Sequence, residues 1–183
     1  MPEYSIYTNE ETKRTRTLVG AFFYDEGGVA LIRILFVCHG NICRSPMAEF
    51  VMKDMVHKAG CEEKFLIASA ATTTEELGND MYPNAKAELR KHGIPFDPRQ
   101  ARQLRRGEYE YWDYIIAMDG ENLADIPELL GPDKEHKVHL LLSFAGERRA
   151  VSDPWYTRNF EAAYRDIALG CEALLKEVLK TRV

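Results

Sequence analysis

Cysteine is scarce in this chain, and its spacing excludes two common structural uses. Only four cysteines occur in 183 residues, at positions 38, 43, 61 and 171. A small secreted scaffold held by disulfides carries more cysteine in a shorter chain, and a structural zinc site uses C-x2-C pairs, which are missing here. The first sixteen residues contain no apolar segment typical of a secretory signal. We therefore expect a cytoplasmic protein with reduced thiols and no metal ion.

Long apolar runs and an excess of positive charge are also missing. No segment approaches the roughly 18 uncharged apolar residues that a membrane span requires. The formal net charge is -5, which argues against a surface built to bind duplex nucleic acid. With 45% hydrophobic residues, the chain has enough apolar side chains to bury a sizeable core. We expect no membrane insertion and no nucleic-acid partner, and we favour a monomer.

From residue 33 onward, short apolar runs alternate with helical patterns. The predicted strands cover residues 33–37, 65–70, 114–117 and 138–141. The predicted helices open at Pro46 and end at Gly60, open at Pro83 and end at Gly93, run through Leu123 and Ile126, and cover residues 160–179. This alternation predicts an α/β fold with an open four-stranded parallel sheet and helices on both faces, a Rossmann-like three-layer arrangement.

Residues 1–32 stand apart from this pattern. They carry three basic and five acidic residues, so they do not form a basic tail. Residues 17–24, followed by Asp-Glu-Gly-Gly, are interpreted as one hairpin arm that runs into the first strand. We predict an N-terminal extension of unknown role over residues 1–32 and one domain over residues 33–183.

The segment with the clearest chemical meaning is V-C-H-G-N-I-C-R-S-P at residues 37–46. A predicted strand ends at Cys38, and a helix begins a few residues later, so the backbone N–H groups of the intervening loop converge on one point at a helix N-terminus. Arg44 adds a fork of donors that matches a tetrahedral oxyanion. The same positive field stabilises a thiolate, which is a nucleophile. The lysine of a nucleotide-binding phosphate loop is missing.

This segment closely resembles the signature of the low-molecular-weight protein tyrosine phosphatases. The resemblance spans roughly residues 33–180, with matching motifs in the expected order. They are S-A-A-T at 69–72, K-H-G-I-P at 91–95, A-R-Q-L at 101–104, Y-I-I-A-M-D at 114–119 and D-P-W at 153–155. The resemblance implies hydrolysis of phosphotyrosine or small aryl phosphomonoesters through a cysteinyl-phosphate intermediate, without a cofactor.

The resemblance also implies roles for single residues. Cys38 corresponds to the nucleophile, Arg44 to the phosphate-binding arginine and Asp153 to the general acid. Ser45 corresponds to the hydroxyl that supports the thiolate. The phosphate-binding loop then consists of His39, Gly40, Asn41, Ile42, Cys43, Arg44 and Ser45, and its supporting network of Asn41, Ser45, Ser69 and His92. In the family the asparagine adopts a left-handed conformation, which Asn tolerates better than most residues.

The expected substrate wall contains Trp155, Tyr156 and Glu75. Glu75 stands about where relatives often carry an aromatic residue, although Glu76 is an alternative. The family counterpart of Cys43 is implicated in redox protection, so a reversible Cys38–Cys43 disulfide is expected under peroxide.

Three other functions stay open at this point. Protein-arginine phosphatases of the same fold tend to carry Thr where this chain has Ile42, so the apolar residue favours an aryl phosphate. Arsenate reductases share the first motif but use additional cysteines near the middle of the chain, and none lies between Cys61 and Cys171. A phosphate-binding module without activity is disfavoured because Cys38, Arg44 and Asp153 are all present.

Overall fold

The central element is a four-stranded sheet in which every neighbouring pair is parallel. A computed structural model describes residues 31–182 and, in the N-terminal segment, the backbone of two short strands, β1 (Thr17–Val19) and β2 (Phe22–Tyr24). The sheet consists of β3 (Ile32–Cys38), β4 (Phe65–Ala71), β5 (Tyr114–Ala117) and β6 (Val138–Leu140). Its strand order is β4-β3-β5-β6, which confirms the predicted fold class.

Helices cover both faces of this sheet. They are α1 (Arg44–Lys58), α2 (Pro83–Lys91), α3 (Gly120–Leu130), the short α4 (Pro154–Thr157) and the long α5 (Phe160–Arg182). Single 3₁₀ turns occupy Glu62–Lys64, Tyr109–Tyr111 and Leu141–Ala145. None of the helices in the described residues is long and apolar enough to cross a membrane.

The side chains of β3 alternate between two apolar clusters, as a strand buried on both faces requires. Ile34 and Phe36 belong to the cluster that includes residues of α1, α2 and α5, whereas Leu35 and Val37 belong to the cluster that includes Ile126 of α3. All four of these β3 side chains are fully buried. The central strand is thus packed on both faces, and this packing fixes the position of its carboxyl end at Cys38.

The first helix begins earlier than predicted. It starts at Arg44 rather than at Pro46, with Cys43 in the N-cap position. A proline at the third helical position is tolerated because the backbone N–H groups of the first turn have no intrahelical acceptor. The two additional residues, Arg44 and Ser45, form the helix N-terminus and directly follow the loop after Cys38.

The N-terminal segment also differs from expectation. Residues 17–24 do not form one hairpin arm, because β1 pairs with β2 in antiparallel register, with Thr17 opposite Tyr24 and Val19 opposite Phe22. The Asp-Glu-Gly-Gly segment lies outside the described residues, and the division of the chain into an extension of unknown role and a domain over residues 33–183 stays a prediction.

Candidate active site

The site lies at the carboxyl ends of β3, β4 and β5. Cys38 is the last residue of β3 and pairs in register with Ala71, the last residue of β4. Thr72 continues this contact, since its backbone N–H donates to the carbonyl of Cys38 at 2.9 Å. Asp119 follows β5 and caps α3. Open parallel sheets bind their ligands at this edge, beside a change in strand order.

The loop from His39 to Cys43 presents a set of unused backbone donors. In residues 31–182, the N–H groups of residues 39–45 have no acceptor, whereas four of the five loop carbonyls accept a hydrogen bond. The carbonyl of His39 accepts from Thr73, and the carbonyl of Ile42 accepts from Tyr82 at 2.8 Å. These anchors hold the loop while its N–H groups stay available. Together with the N-terminus of α1, they form a cradle for a tetrahedral anion.

The thiol of Cys38 sits in a buried hydrogen-bond network. Its Sγ lies 3.0 Å from Ser45 Oγ. The side-chain amide of Asn41 donates to Ser45 Oγ and to Ser69 Oγ, both at 2.9 Å. Asn41 is fully buried and has a φ of 58°, the left-handed conformation that the resemblance implied. Thus the structure brings together Cys38, Asn41, Ser45 and Ser69.

His92 does not take part in this network in the described part of the chain. Its Nε2 lies 3.0 Å from Glu88 Oε1, and its ring stacks on Tyr164 with centroids 3.6 Å apart. The place beside Ser69 is taken by Glu49, whose Oε2 accepts from Ser69 Oγ at 2.6 Å. His92 follows the last residue of α2, and Glu88 lies four positions before it on the same helix. This spacing favours the contact with Glu88, so His92 does not occupy the place in the loop network that the resemblance implied.

Two arginines belong to or contact the loop. Arg44 has only 5% of its side chain exposed, and its Nη2 lies 2.6 Å from Asp153 Oδ2. Its Nη1 donates to Asp119 Oδ2 at 2.5 Å. The second arginine, Arg99, bonds to Asn41. Asp119, Glu49 and Arg99 were not predicted as site residues. An acidic residue two positions after β5 was the available signal for Asp119, whereas Arg99 had none.

The charge state of Arg44 follows from its neighbours. Burial alone acts to lower the pKa of the guanidinium, but attraction to Cys38 and to the carboxylates of Asp153 and Asp119 outweighs it and raises the pKa above its ordinary value. Arg44 is therefore a permanent cation between two carboxylates. A dianion entering the cradle meets a guanidinium that is already positioned and paired.

Cys43 differs from Cys38 in its surroundings. It is 8% exposed, and burial, followed by repulsion from Cys38 and Asp153, raises the pKa of its thiol to about 12. Cys43 is consequently a neutral thiol at physiological pH.

The predicted wall residues lie on two segments. Asp153 caps α4 by accepting from the N–H of Trp155 at 2.8 Å, and this cap fixes the acid and the tryptophan relative to each other. Trp155 is 47% exposed and meets Tyr82 edge-on, with centroids 5.9 Å apart. Tyr156 points outward and is 83% exposed. Tyr82, which was not predicted, therefore extends the aromatic surface that Trp155 begins.

The acidic loop after β4 contacts the phosphate loop directly. Glu75 Oε2 lies 3.0 Å from His39 Nε2, and both side chains are largely exposed. Glu76 instead packs over Gly40, where a Cβ atom on the glycine would meet Glu76 Cγ at 3.0 Å. Gly40 thus permits the close approach of the two loops. Glu75 is thus the exposed acid beside the phosphate loop, and Glu76 packs against Gly40.

In the described residues, no group of three or more His, Cys, Asp or Glu side chains is placed to hold a metal ion.

Comparison with known proteins adds an independent line of evidence. Residues 33–183 match the family model described as low molecular weight phosphotyrosine protein phosphatase. The chain is 39% identical over 154 residues to the low molecular weight protein-tyrosine-phosphatase YfkJ of Bacillus subtilis, covering 83% of this chain and 99% of that protein. It is 35% identical over 149 residues to the human low molecular weight phosphotyrosine protein phosphatase, covering 79% of this chain and 94% of the relative.

Solved structures give the same result. The crystal structure of YfkJ superposes with a TM-score of 0.80, covering 84% of this chain and 98% of that one. A Drosophila arginine phosphatase, 30% identical, superposes with a TM-score of 0.73 and covers 80% of this chain and 97% of its own. With the family model matching everything after the extension, the chain belongs to the low molecular weight phosphotyrosine protein phosphatase family of hydrolases.

Proposed function

We propose that this protein hydrolyses phosphotyrosine in proteins, and small aryl phosphates, through a covalent cysteinyl-phosphate on Cys38. One observation carries the proposal. The Cys38 thiol lies 3.0 Å from Ser45 Oγ, beneath a loop of available N–H groups, and Arg44 links that loop to Asp153 at 2.6 Å. A nucleophile, an anion cradle and an acid therefore converge on one point.

In the first step, the Cys38 thiolate attacks phosphorus. The S–P bond forms as the bond to the phenolic oxygen of the substrate breaks, and that oxygen takes its proton from the carboxyl group of Asp153. The incoming dianion competes with Asp153 for Arg44 Nη2, which frees the carboxyl group to hold that proton. Arg44 and the loop N–H groups hold the three equatorial oxygens throughout.

In the second step, water hydrolyses the intermediate. The Asp153 carboxylate takes a proton from water, the water oxygen bonds to phosphorus and the S–P bond breaks. The departing thiolate accepts a hydrogen bond from Ser45, and inorganic phosphate leaves. No cofactor or metal ion takes part.

The aromatic and apolar surfaces beside the cradle favour an aryl substrate. Ile42 is buried within the loop, and Trp155 with Tyr82 forms an aromatic edge next to Asp153. A phenyl ring on the phosphate packs against these side chains, whereas Ile42 has no hydroxyl to offer a phosphoarginine, unlike the Thr that arginine phosphatases tend to carry at this position. The similarity to an arginine phosphatase makes phosphoarginine the necessary competitor in any test.

The test compares wild type with two variants in three reactions. Wild type, Cys38→Ser and the control Cys61→Ser are assayed on a phosphotyrosine peptide, on a phosphoarginine peptide and for thiol-dependent arsenate reduction. Cys61 is a suitable control because it is buried, lies three residues beyond the C-terminal end of the 15-residue helix α1 and donates to Val56 O. We expect phosphotyrosine hydrolysis in wild type and Cys61→Ser, with less than about 1% remaining in Cys38→Ser.

Trapping the intermediate completes the test. Rapid acid quenching of wild type with labelled aryl phosphate is expected to yield label on the peptide that contains Cys38. If wild type hydrolyses phosphoarginine faster than phosphotyrosine, the protein is an arginine phosphatase. If it reduces arsenate with thiol faster than it hydrolyses phosphotyrosine, the protein is an arsenate reductase. Either result would contradict the proposed substrate. Full activity of Cys38→Ser would exclude the covalent mechanism.

A further inference from the structure

Arg99 makes an unusual set of contacts behind the phosphate loop. It lies on the segment between α2 and the Tyr109–Tyr111 turn, far from the loop in sequence. Its Nη1 donates to the backbone carbonyl of Asn41 at 2.7 Å, and its Nη2 donates to Asn41 Oδ1 at 2.6 Å. A third, longer bond runs from Nη2 to Ser69 Oγ at 3.2 Å. The two short contacts place the guanidinium fork on the backbone and side chain of a single residue.

Asn41 needs such a partner because of its backbone conformation. With a φ of 58°, it adopts a conformation that costs free energy for a residue other than glycine and persists only where its surroundings hold it. Its amide nitrogen is fully used by Ser45 and Ser69, and its Oδ1 accepts from Arg99 and from the backbone N–H of Arg102 at 3.2 Å. Arg99 supplies the bond to the carbonyl and the shorter of the two bonds to Oδ1, and so holds the loop from behind.

The charge of Arg99 also matters for Cys38. Burial lowers the pKa of Arg99, while attraction to Glu49, the Cys38 thiolate and Asp80 opposes that effect, and repulsion from Arg102 adds to it. The charged groups around Cys38 itself are Arg44 from α1 and Asp153 from the segment before α4, with the neutral Cys43 beside them. Glu49 is already engaged by Lys53 Nζ at 2.6 Å and by Ser69. Hydrogen bonds connect Arg99 to Cys38: Arg99 donates to Asn41, Asn41 donates to Ser45 Oγ, and Ser45 Oγ lies 3.0 Å from Cys38 Sγ. Arg99 is therefore a second guanidinium, besides Arg44, in the surroundings of the thiol.

We propose that Arg99 is a positioning residue of the phosphate loop, which fixes the left-handed Asn41 through its fork and stabilises the Cys38 thiolate through its charge. This inference rests on the proposed function only in taking Cys38 as the reactive thiol of an oxyanion site. The two contributions separate in their variants. Arg99→Met removes the fork and the charge, whereas Arg99→Lys keeps the charge and removes the fork.

The experiment measures two properties that require no turnover. The first is the rate of Cys38 alkylation by iodoacetamide as a function of pH, and the second is the affinity for inorganic phosphate, measured as protection from alkylation. The matched control is Arg105→Met, which removes the same charge from an exposed arginine on the same segment. Thermal unfolding of each variant reports whether the fold is intact.

For Arg99→Met, we expect the midpoint of the alkylation profile to rise by about half to one pH unit and phosphate affinity to fall about tenfold. For Arg99→Lys, we expect a midpoint close to that of wild type but weakened phosphate affinity, because a point charge does not replace a planar fork. Arg105→Met is expected to match wild type in both. If Arg99→Met does not fold, the Lys variant alone decides the positioning role through phosphate affinity.

Several results would overturn the inference. They are an Arg99→Met profile and phosphate affinity equal to those of Arg105→Met, or phosphate binding by Arg99→Lys as tight as in wild type. If Cys38 of wild type reacts like an ordinary thiol and phosphate does not protect it, Cys38 is not the reactive thiol of an oxyanion site, and the inference fails. If the wild-type protein binds phosphate and alkylates at low pH but does not hydrolyse phosphotyrosine, the proposed function fails while the role of Arg99 stands.

Discussion

The hydroxyl of Ser45 offers a sharp test of the proposed mechanism. Its Oγ lies 3.0 Å from Cys38 Sγ, accepts from Asn41 Nδ2 at 2.9 Å and can donate to Ala70 O at 3.3 Å. A hydroxyl has a single hydrogen, and a thiolate only accepts, so the hydrogen turns to Cys38 whenever the thiolate is present. In the phosphorylated intermediate the sulfur is bonded to phosphorus, and that hydrogen bond is weakened until the thiolate departs.

The magnitude follows from this change between states. A hydrogen bond to a charged group contributes about 1.5–3 kcal/mol, and about 1.4 kcal/mol corresponds to a tenfold change in rate. If Ser45→Ala raises the barrier for departure of the thiolate by this amount, hydrolysis of the intermediate slows about 10- to 150-fold. Asn41 Nδ2 keeps its bond to Ser69 but loses one partner, which lowers the free energy of unfolding by about 1–2 kcal/mol.

Stopped-flow kinetics with an activated aryl phosphate distinguish the two steps. Because the second step becomes slow, Ser45→Ala is expected to show a burst of phenolate approaching one equivalent per site, followed by a reduced steady-state rate. Ser143→Ala is the control, since its exposed hydroxyl bonds only to Leu140 O at 2.6 Å. A loss of less than about threefold in kcat with no burst would refute the assignment of Ser45 to thiolate departure.

Three further predictions concern the acid, the second loop cysteine and the acidic rim. Asp153→Ala should slow alkyl phosphates about 10²- to 10⁴-fold and activated aryl phosphates far less, and equal losses would remove it from the acid role. Peroxide should oxidise Cys38 to a sulfenic acid, which condenses with the Cys43 thiol to a disulfide and water. Thiol should therefore restore the activity of peroxide-treated wild type but not of Cys43→Ser, and equal recovery of the two would argue against the disulfide. Wild type should prefer basic-flanked over acidic-flanked phosphotyrosine peptides about two- to fivefold in kcat/KM at low salt, and Glu75→Gln should lose this preference while Glu76→Gln keeps it; a flat preference in all three makes Glu75 a surface residue only.

Much of the fold was predictable because its determinants are local. The short apolar runs predicted four strands within a residue or two, and Pro83 and Gly93 marked the ends of α2. The start of α1 was less accessible, since a proline is compatible with more than one position in a first helical turn. The pairing of β1 with β2 was missed for a similar reason, because one apolar stretch reads equally well as one arm or two.

The sequence alone specified the succession of strands and helices along the chain and the position of the predicted phosphate loop, because both are encoded within short continuous segments. The partners that hold the loop were decided only by the tertiary structure. Arg99 reaches Asn41 across 58 positions, and Asp119 reaches Arg44 across 75. His92 turned to Glu88 and Tyr164 instead of the loop. A hydrogen bond depends on distances of a few tenths of an ångström, and those distances arise only when parallel strands bring separate segments to one edge of the sheet.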